Sequence, residues 1–153
     1  MNTTDGHERE LLPDWLEEQG VDPTPAALGR AREVREAFRA LLIANHDGSP
    51  VPEDAATVLE RAAEGARLSI RFAPSPELVP RADGLDGALG RVLAAAFECM
   101  RDGSWSRLKA CRNCHWAFYD ESRNRSAAWC SMQLCGNRVK TSAYRRRKRA
   151  IGV

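Results

Sequence analysis

No lysine precedes Lys109, and no aspartate or glutamate follows Glu121. A formal net charge of +2 hides this split. Residues 1–100 hold 10 Arg against 18 acids, a balance of −8, whereas residues 101–153 hold 13 Lys+Arg against Asp102, Asp120 and Glu121, a balance of +10. Such asymmetry between halves implies two modules with different partners, the basic one facing a polyanion. Also missing is any run of ~18 apolar residues, which argues against a membrane-spanning helix and for a chain with no membrane partner. Met1 to Glu10 is polar and partly acidic, so neither a secretory signal nor a basic transit peptide is expected there. The expected compartment is the cytoplasm, where thiols stay reduced and paired cysteines more often bind metal than each other. No phosphate loop, catalytic triad or open metal site is legible, so the chain is not expected to be an enzyme.

The composition, 43% hydrophobic and 29% charged, is that of a globular protein. Leu11, Leu12, Trp15 and Leu16 are spaced for a short amphipathic helix ending at Gly20. Thr24 is placed to cap a second helix, with Pro25 at its first position, running to about Asn45. Its apolar stripe is Ala27, Ala31, Val34, Phe38, Leu41 and Leu42. Pro52 to Glu64 reads as a third helix burying Ala55, Val58, Leu59 and Ala62. "RLSIRF" alternates as a half-buried strand with Leu68, Ile70 and Phe72 inward, and "ELVPR" is its return, with Pro80 at an edge. A long helix capped by Asp83 or Asp86 then runs to about Arg101, with Leu89, Val92, Leu93, Ala96, Phe97 and Met100 inward and Gly103 as its stop. Cys99 falls on the buried side as a small core residue. His7 and His46 carry no catalytic pattern; His46 reads as a loop residue paired with Asp47.

The resulting fold class is α+β, mainly α. A helical domain with one small β-hairpin spans 1–103. A small module of knuckle, short hairpin and helix spans 104–153.

Four of the five cysteines lie in the second module as C-x2-C (Cys111, Cys114) and C-x4-C (Cys130, Cys135), fifteen residues apart. Both spacings fit structural zinc sites, and the gap is long enough for a hairpin that returns the chain to the first pair. Four thiolates close the coordination shell, so one structural Zn(II) per chain is the expected cofactor. Two disulfides are disfavoured in a reducing compartment. An iron–sulfur cluster has the ligand count but not the ferredoxin spacings. A redox switch that releases zinc remains compatible with the same site.

Directly after Cys135 the chain reads "GNRVKTSAYRRRKRAIGV". As a helix it places Arg138, Thr141 or Ser142, Arg145 and Arg149 on one stripe, with Lys140, Tyr144, Arg147 and Lys148 beside it. A helix rooted at a zinc ligand has a fixed base and suits groove insertion. Its first turn, near Gly136 and Asn137, is a candidate phosphate site through free N–H groups. The candidate nucleic-acid contacts are Arg123, Arg125, Asn137, Arg138, Lys140, Arg145, Arg146, Arg147, Lys148 and Arg149. A basic tail that holds any polyanion, or a solvated helix face, is the competing reading.

The stretch from Cys111 to Arg149 closely resembles the CGNR zinc finger, named for Cys135-Gly136-Asn137-Arg138. Phe118, Asp120, Ser122, Arg123, Asn124, Trp129, Ser131, Met132 and Lys140 fit that family's pattern too. There the finger follows a helical domain called ABATE, of putative stress-induced transcription regulators, and "LLPDWLEEQG" and the hairpin before the last long helix are similar to it. The resemblance implies a DNA-binding transcription regulator in the stress response, with the four cysteines as zinc ligands. The N-terminal domain would then act in sensing a small molecule, in dimerisation, or in holding a protein partner. The alternative is a zinc-stabilised module that binds RNA or an acidic protein. Family members carry an apolar segment before an Asn-Thr-x-Asp stretch. Here Asn2-Thr3-Thr4-Asp5 directly follows Met1, so the first strand is expected either to be absent or to start upstream.

Overall fold

The computed structural model describes residues 4–5 and 9–150, with side chains from 11 to 149. Its elements in chain order are β1 (Thr4–Asp5), β2 (Arg9–Glu10), α1 (Leu12–Glu18), α2 (Pro25–Asp47), α3 (Glu53–Gly65), β3 (Ser69–Arg71), β4 (Glu77–Val79), α4 (Gly84–Arg101), β5 (Leu108–Ala110), β6 (Ala117–Tyr119) and α5 (Asn137–Ala150). The fold is mainly helical, with three two-stranded antiparallel ladders, β1–β2, β3–β4 and β5–β6. The expectation concerning a first strand before Met1 and the reading of His7 lie outside the described residues. Among the described residues, no helix is long and apolar enough to cross a membrane.

Thr24 caps α2 as its sequence predicts, its Oγ accepting the Ala27 N–H at 3.2 Å, with Pro25 in the first turn. The helix outruns its expected end by one turn fragment, to Asp47, and stops where Gly48 adopts φ +68°. Leu12 and Leu16 of α1 are fully buried against Ala27 and Ala31. The main core joins Val34 and Phe38 of α2, Ala62 of α3, and Leu89 and Ala96 of α4.

Four inward assignments fail. Ile70 is 58% exposed, Phe72 75%, Phe97 49% and Met100 43%. Alternation and helical period mark a face as apolar, but do not say whether anything covers it. The β3–β4 hairpin is two strands of three residues; β4 lies against α4, but the β3 side with Ile70 and Phe72 stays open to solvent. The N–H groups of Arg81 and Ala82 both donate to the Ala66 carbonyl, at 3.0 and 3.1 Å. Gly90 of α4 is where the hairpin's base presses in. A Cβ there would lie 2.6 Å from Ala66 Cβ and 2.8 Å from Pro80 Cβ. Neither contact atom can swing aside. Gly90→Ala should therefore lower stability: overpacking costs about 1–3 kcal/mol, against about 1 kcal/mol gained in helix propensity. Denaturant unfolding measures the balance, and an unchanged or raised midpoint would show that the base yields.

After α4, Gly103 at φ +80° reverses the chain. A tight turn over Ser104–Arg107 then lays Trp105 against the main core. The last turns of α2 grip this turn and the β5–β6 hairpin beyond it. Asn45 Nδ2 donates to the carbonyls of Trp105 and Leu108, at 2.8 and 2.9 Å. His46 Nδ1 lies 2.7 Å from the Ala110 carbonyl, and Arg39 Nη1 donates to the His115 carbonyl at 2.7 Å. Arg112 pairs with Asp47 at 3.3 Å. His46 is thus half-buried in the last turn of α2, not a loop residue paired with Asp47. The helix continues through it because Gly48, rather than Asn45, supplies the stop.

Candidate metal centre and basic helix

Strands β5 and β6 pair with Leu108 opposite Tyr119, Lys109 opposite Phe118 and Ala110 opposite Ala117. The C-x2-C pair forms the tip of this hairpin. Cys111 N–H donates to the Trp116 carbonyl at 2.9 Å, and His115 N–H returns to the Cys111 carbonyl at 2.8 Å. His115 takes φ +58° to close the knuckle, and its side chain is exposed. Cys135 lies in a wide helical turn over Met132–Gly136, capped by Ser131, whose Oγ accepts the Leu134 N–H at 3.3 Å. This turn runs directly into α5, so the helix is rooted at a cysteine of the cluster.

The four Sγ atoms lie within 4.8 Å of one another. Cys114 and Cys130 are 3.7 Å apart, Cys130 and Cys135 3.7 Å, and Cys114 and Cys135 3.5 Å. A tetrahedron with metal–sulfur bonds of ~2.3 Å has sulfur–sulfur edges of about 3.8 Å. The donor set and its spacing therefore fit one structural zinc. Asn113 Nδ2 adds a long hydrogen bond to Cys135 Sγ at 3.5 Å.

The thiols differ in acidity before any metal arrives. Burial pushes Cys114 up to about 11. It pushes Cys130 further above the ordinary thiol value, and the Cys114 and Cys135 thiols add to this. Burial also opposes the Cys111 thiolate, but the backbone N–H groups of Cys130, Cys114 and Asn113 outweigh it and hold this thiol at about 7. Burial of the cluster thus keeps protons on its thiols near pH 7, and these must leave when metal binds. Zinc uptake at pH 7 should release at least two protons, so its apparent affinity falls steeply as pH falls. Calorimetry in buffers of different ionisation enthalpy counts them, and release of one or none would contradict this order of acidities.

A second cluster stiffens the loop between the cysteine pairs. Lys109 Nζ and Asp120 Oδ2 form an ion pair at 2.7 Å, with side chains 8% and 0% exposed. Asp120 also accepts the N–H groups of Ser122 and Ala127, each at 2.9 Å. Lys109 further donates to the carbonyl of Arg125, and Arg107 Nη1 donates to those of Asp120 and Ser122. Burial opposes the Asp120 carboxylate, but Lys109, Ser122 and Ala127 hold its pKa well below the usual range. In the sequence Lys109 and Arg107 are indistinguishable from surface charges. Asp120 is the available hint, as one of three acids in the basic half.

The predicted nucleic-acid contacts fall on two elements. Arg123 and Arg125 lie exposed in the loop, where Arg125 Nη1 donates to Ser106 Oγ at 2.9 Å. Asn137, Arg138, Lys140, Arg145, Arg146, Arg147, Lys148 and Arg149 are exposed along α5. Only Val139 and Ala143 of this helix are half-buried up to Arg149. Arg138, Thr141, Ser142, Arg145, Arg146 and Arg149 line one shallow groove on the helix, which matches the expected stripe. The phosphate site expected at Gly136 and Asn137 needs correction. The Gly136 N–H donates to the Ser131 carbonyl and the Asn137 N–H to that of Met132. Because the wide turn continues into α5, these donors are already used.

A sequence profile of the CGNR zinc finger matches residues 107–148. A second profile, described as "Putative stress-induced transcription regulator" (ABATE), matches residues 3–103. No curated protein matches the chain.

Proposed function

The chain belongs to the ABATE family of putative stress-induced transcription regulators, joined to a CGNR zinc finger, and from that premise we propose that it regulates transcription by holding DNA on α5. One observation carries the reading. A helix whose basic side chains are all exposed, and which bears no acid, grows directly out of a cysteine of the metal cluster. Zinc bound by Cys111, Cys114, Cys130 and Cys135 supplies a rigid crosslink between the knuckle and the root of that helix. Arg138, Lys140 and Arg145–Arg149 then face phosphates, and Asn137 and Arg138 stand nearest the fixed end. Like charges one turn apart oppose the helix in isolation, and a polyanion relieves that repulsion.

The run Arg145–Arg149 can neutralise about 4–5 phosphates, which gives a slope of log K against log[salt] of roughly −4 from this segment. Fluorescence anisotropy with labelled duplex DNA over a salt series reads it. Arg145/Arg146/Arg147→Ala should weaken binding and flatten the slope by about 3. Absence of binding at low salt, or indifference to the triple substitution, would refute the proposal. Competition by single-stranded RNA or an acidic protein that outdoes duplex DNA would move the assignment to the alternative partner.

A further inference from the structure

Between α1, α2, α4 and the β5–β6 hairpin lies a cavity of about 430 Å³. That is within the usual size of small-ligand sites, which are mostly apolar with a few placed polar groups. Trp15, Phe38, Leu42 and Val92 form apolar walls, and Leu108 and Ala117 of the hairpin complete them. The strongly polar lining is Gln19 and Arg91, and they hold each other, Arg91 Nη2 donating to Gln19 Oε1 at 3.0 Å. Arg30, Arg39, Arg71 and Arg101 each pair with a carboxylate. Among the described residues Arg91 has none, although the first hundred residues carry 18 acids. An open apolar pocket with an exposed guanidinium at its rim, bonded among the described residues only to a neutral amide, matches one ligand chemistry.

We propose that this cavity binds a small organic carboxylate. Its apolar body lies among Trp15, Val92 and Leu108, and its carboxylate takes the Arg91 guanidinium from Gln19. Arginine has donors enough to grip a carboxylate through two parallel bonds. Leu108 and Ala117 precede and follow the C-x2-C knuckle, so the occupant touches both the N-terminal helices and the finger. Any effect on DNA rests on the function proposed above, whereas binding itself does not.

The test is calorimetry on the full zinc-loaded chain with octanoate and 2-naphthoate, and with 1-octanol as the neutral match. The carboxylates should bind saturably at one site, and Arg91→Gln should weaken them about tenfold or more while leaving 1-octanol unaffected. Ala95→Trp, at an exposed lining position, should abolish binding with an unchanged melting temperature. No saturable binding of either carboxylate overturns the proposal. So does equal affinity for octanol and octanoate, or indifference to Arg91→Gln. None of these readouts involves DNA, so this site and the DNA assignment fail separately.

Discussion

Chelating the metal, or replacing Cys111 or Cys135 with serine, is expected to unfold the finger hairpin and α5 while the N-terminal helices stay folded. The reason is how small an apolar core this segment has, although polar bonds tie its hairpin to α2. Among the described residues from 104 onward, the buried hydrophobic ones are Ala110, Cys111 and Cys135, and two of these are ligands. Structural zinc binds finger peptides with an apparent free energy of about 10–16 kcal/mol at pH 7, more than so small a core supplies. By contrast Val34, Phe38, Ala62, Leu89 and Ala96 form a core that needs no metal. Hydrogen exchange should show protection lost in Leu108–Tyr119 and α5 first and retained in α2 and α4. Purified protein should carry about one zinc per chain. A melting profile identical with and without chelator would count against a structural site.

Asp120→Ala should be the most damaging single change away from the cysteines. It leaves the Lys109 ammonium buried without its counter-ion and the N–H groups of Ser122 and Ala127 without acceptors. Removing one partner of a buried pair typically costs about 3–5 kcal/mol. Asp120→Asn keeps the shape and one acceptor oxygen, so it should cost less. The pair also sets an acid limit. The folded pKa of Asp120 is depressed, so its contribution is complete above the unfolded value of about 3.9 and is lost as pH falls from there toward the folded one. Chemical denaturation of the zinc-loaded protein measures both effects. A loss below about 1 kcal/mol for Asp120→Ala would mean that water reaches Lys109 once the carboxylate is gone.

The four N-terminal helices were legible because their signals are local. Thr24-Pro25 opens α2, Gly103 follows the end of α4, and the apolar period runs through Val34, Phe38, Leu89 and Ala96. The cysteine site was legible for a similar reason: a two-residue gap dictates its own turn, and Cys135 leads straight into a helix. The features that the sequence concealed depend on distant contacts. Ile70 and Phe97 lie on apolar faces that the described residues cover only in part. Lys109 reads as one more surface cation until strand pairing carries it against a carboxylate eleven residues on. Asn45 and His46 show no pattern, because the atoms they hold are main-chain carbonyls that every residue offers.

The rooting of α5 at the cysteine cluster has a mechanical consequence. Fourteen residues at 1.5 Å each make a rod about 21 Å long, rooted next to Cys135 and with every side chain from Tyr144 to Arg149 exposed. A tilt of about ten degrees at that root sweeps the far end through roughly 4 Å, comparable to the ~3.4 Å of helix axis per phosphate of one strand. The bond angles of four sulfur atoms therefore aim a lever whose tip carries most of the charge, and a slight distortion at the root is magnified into a change of register at Arg145–Arg149.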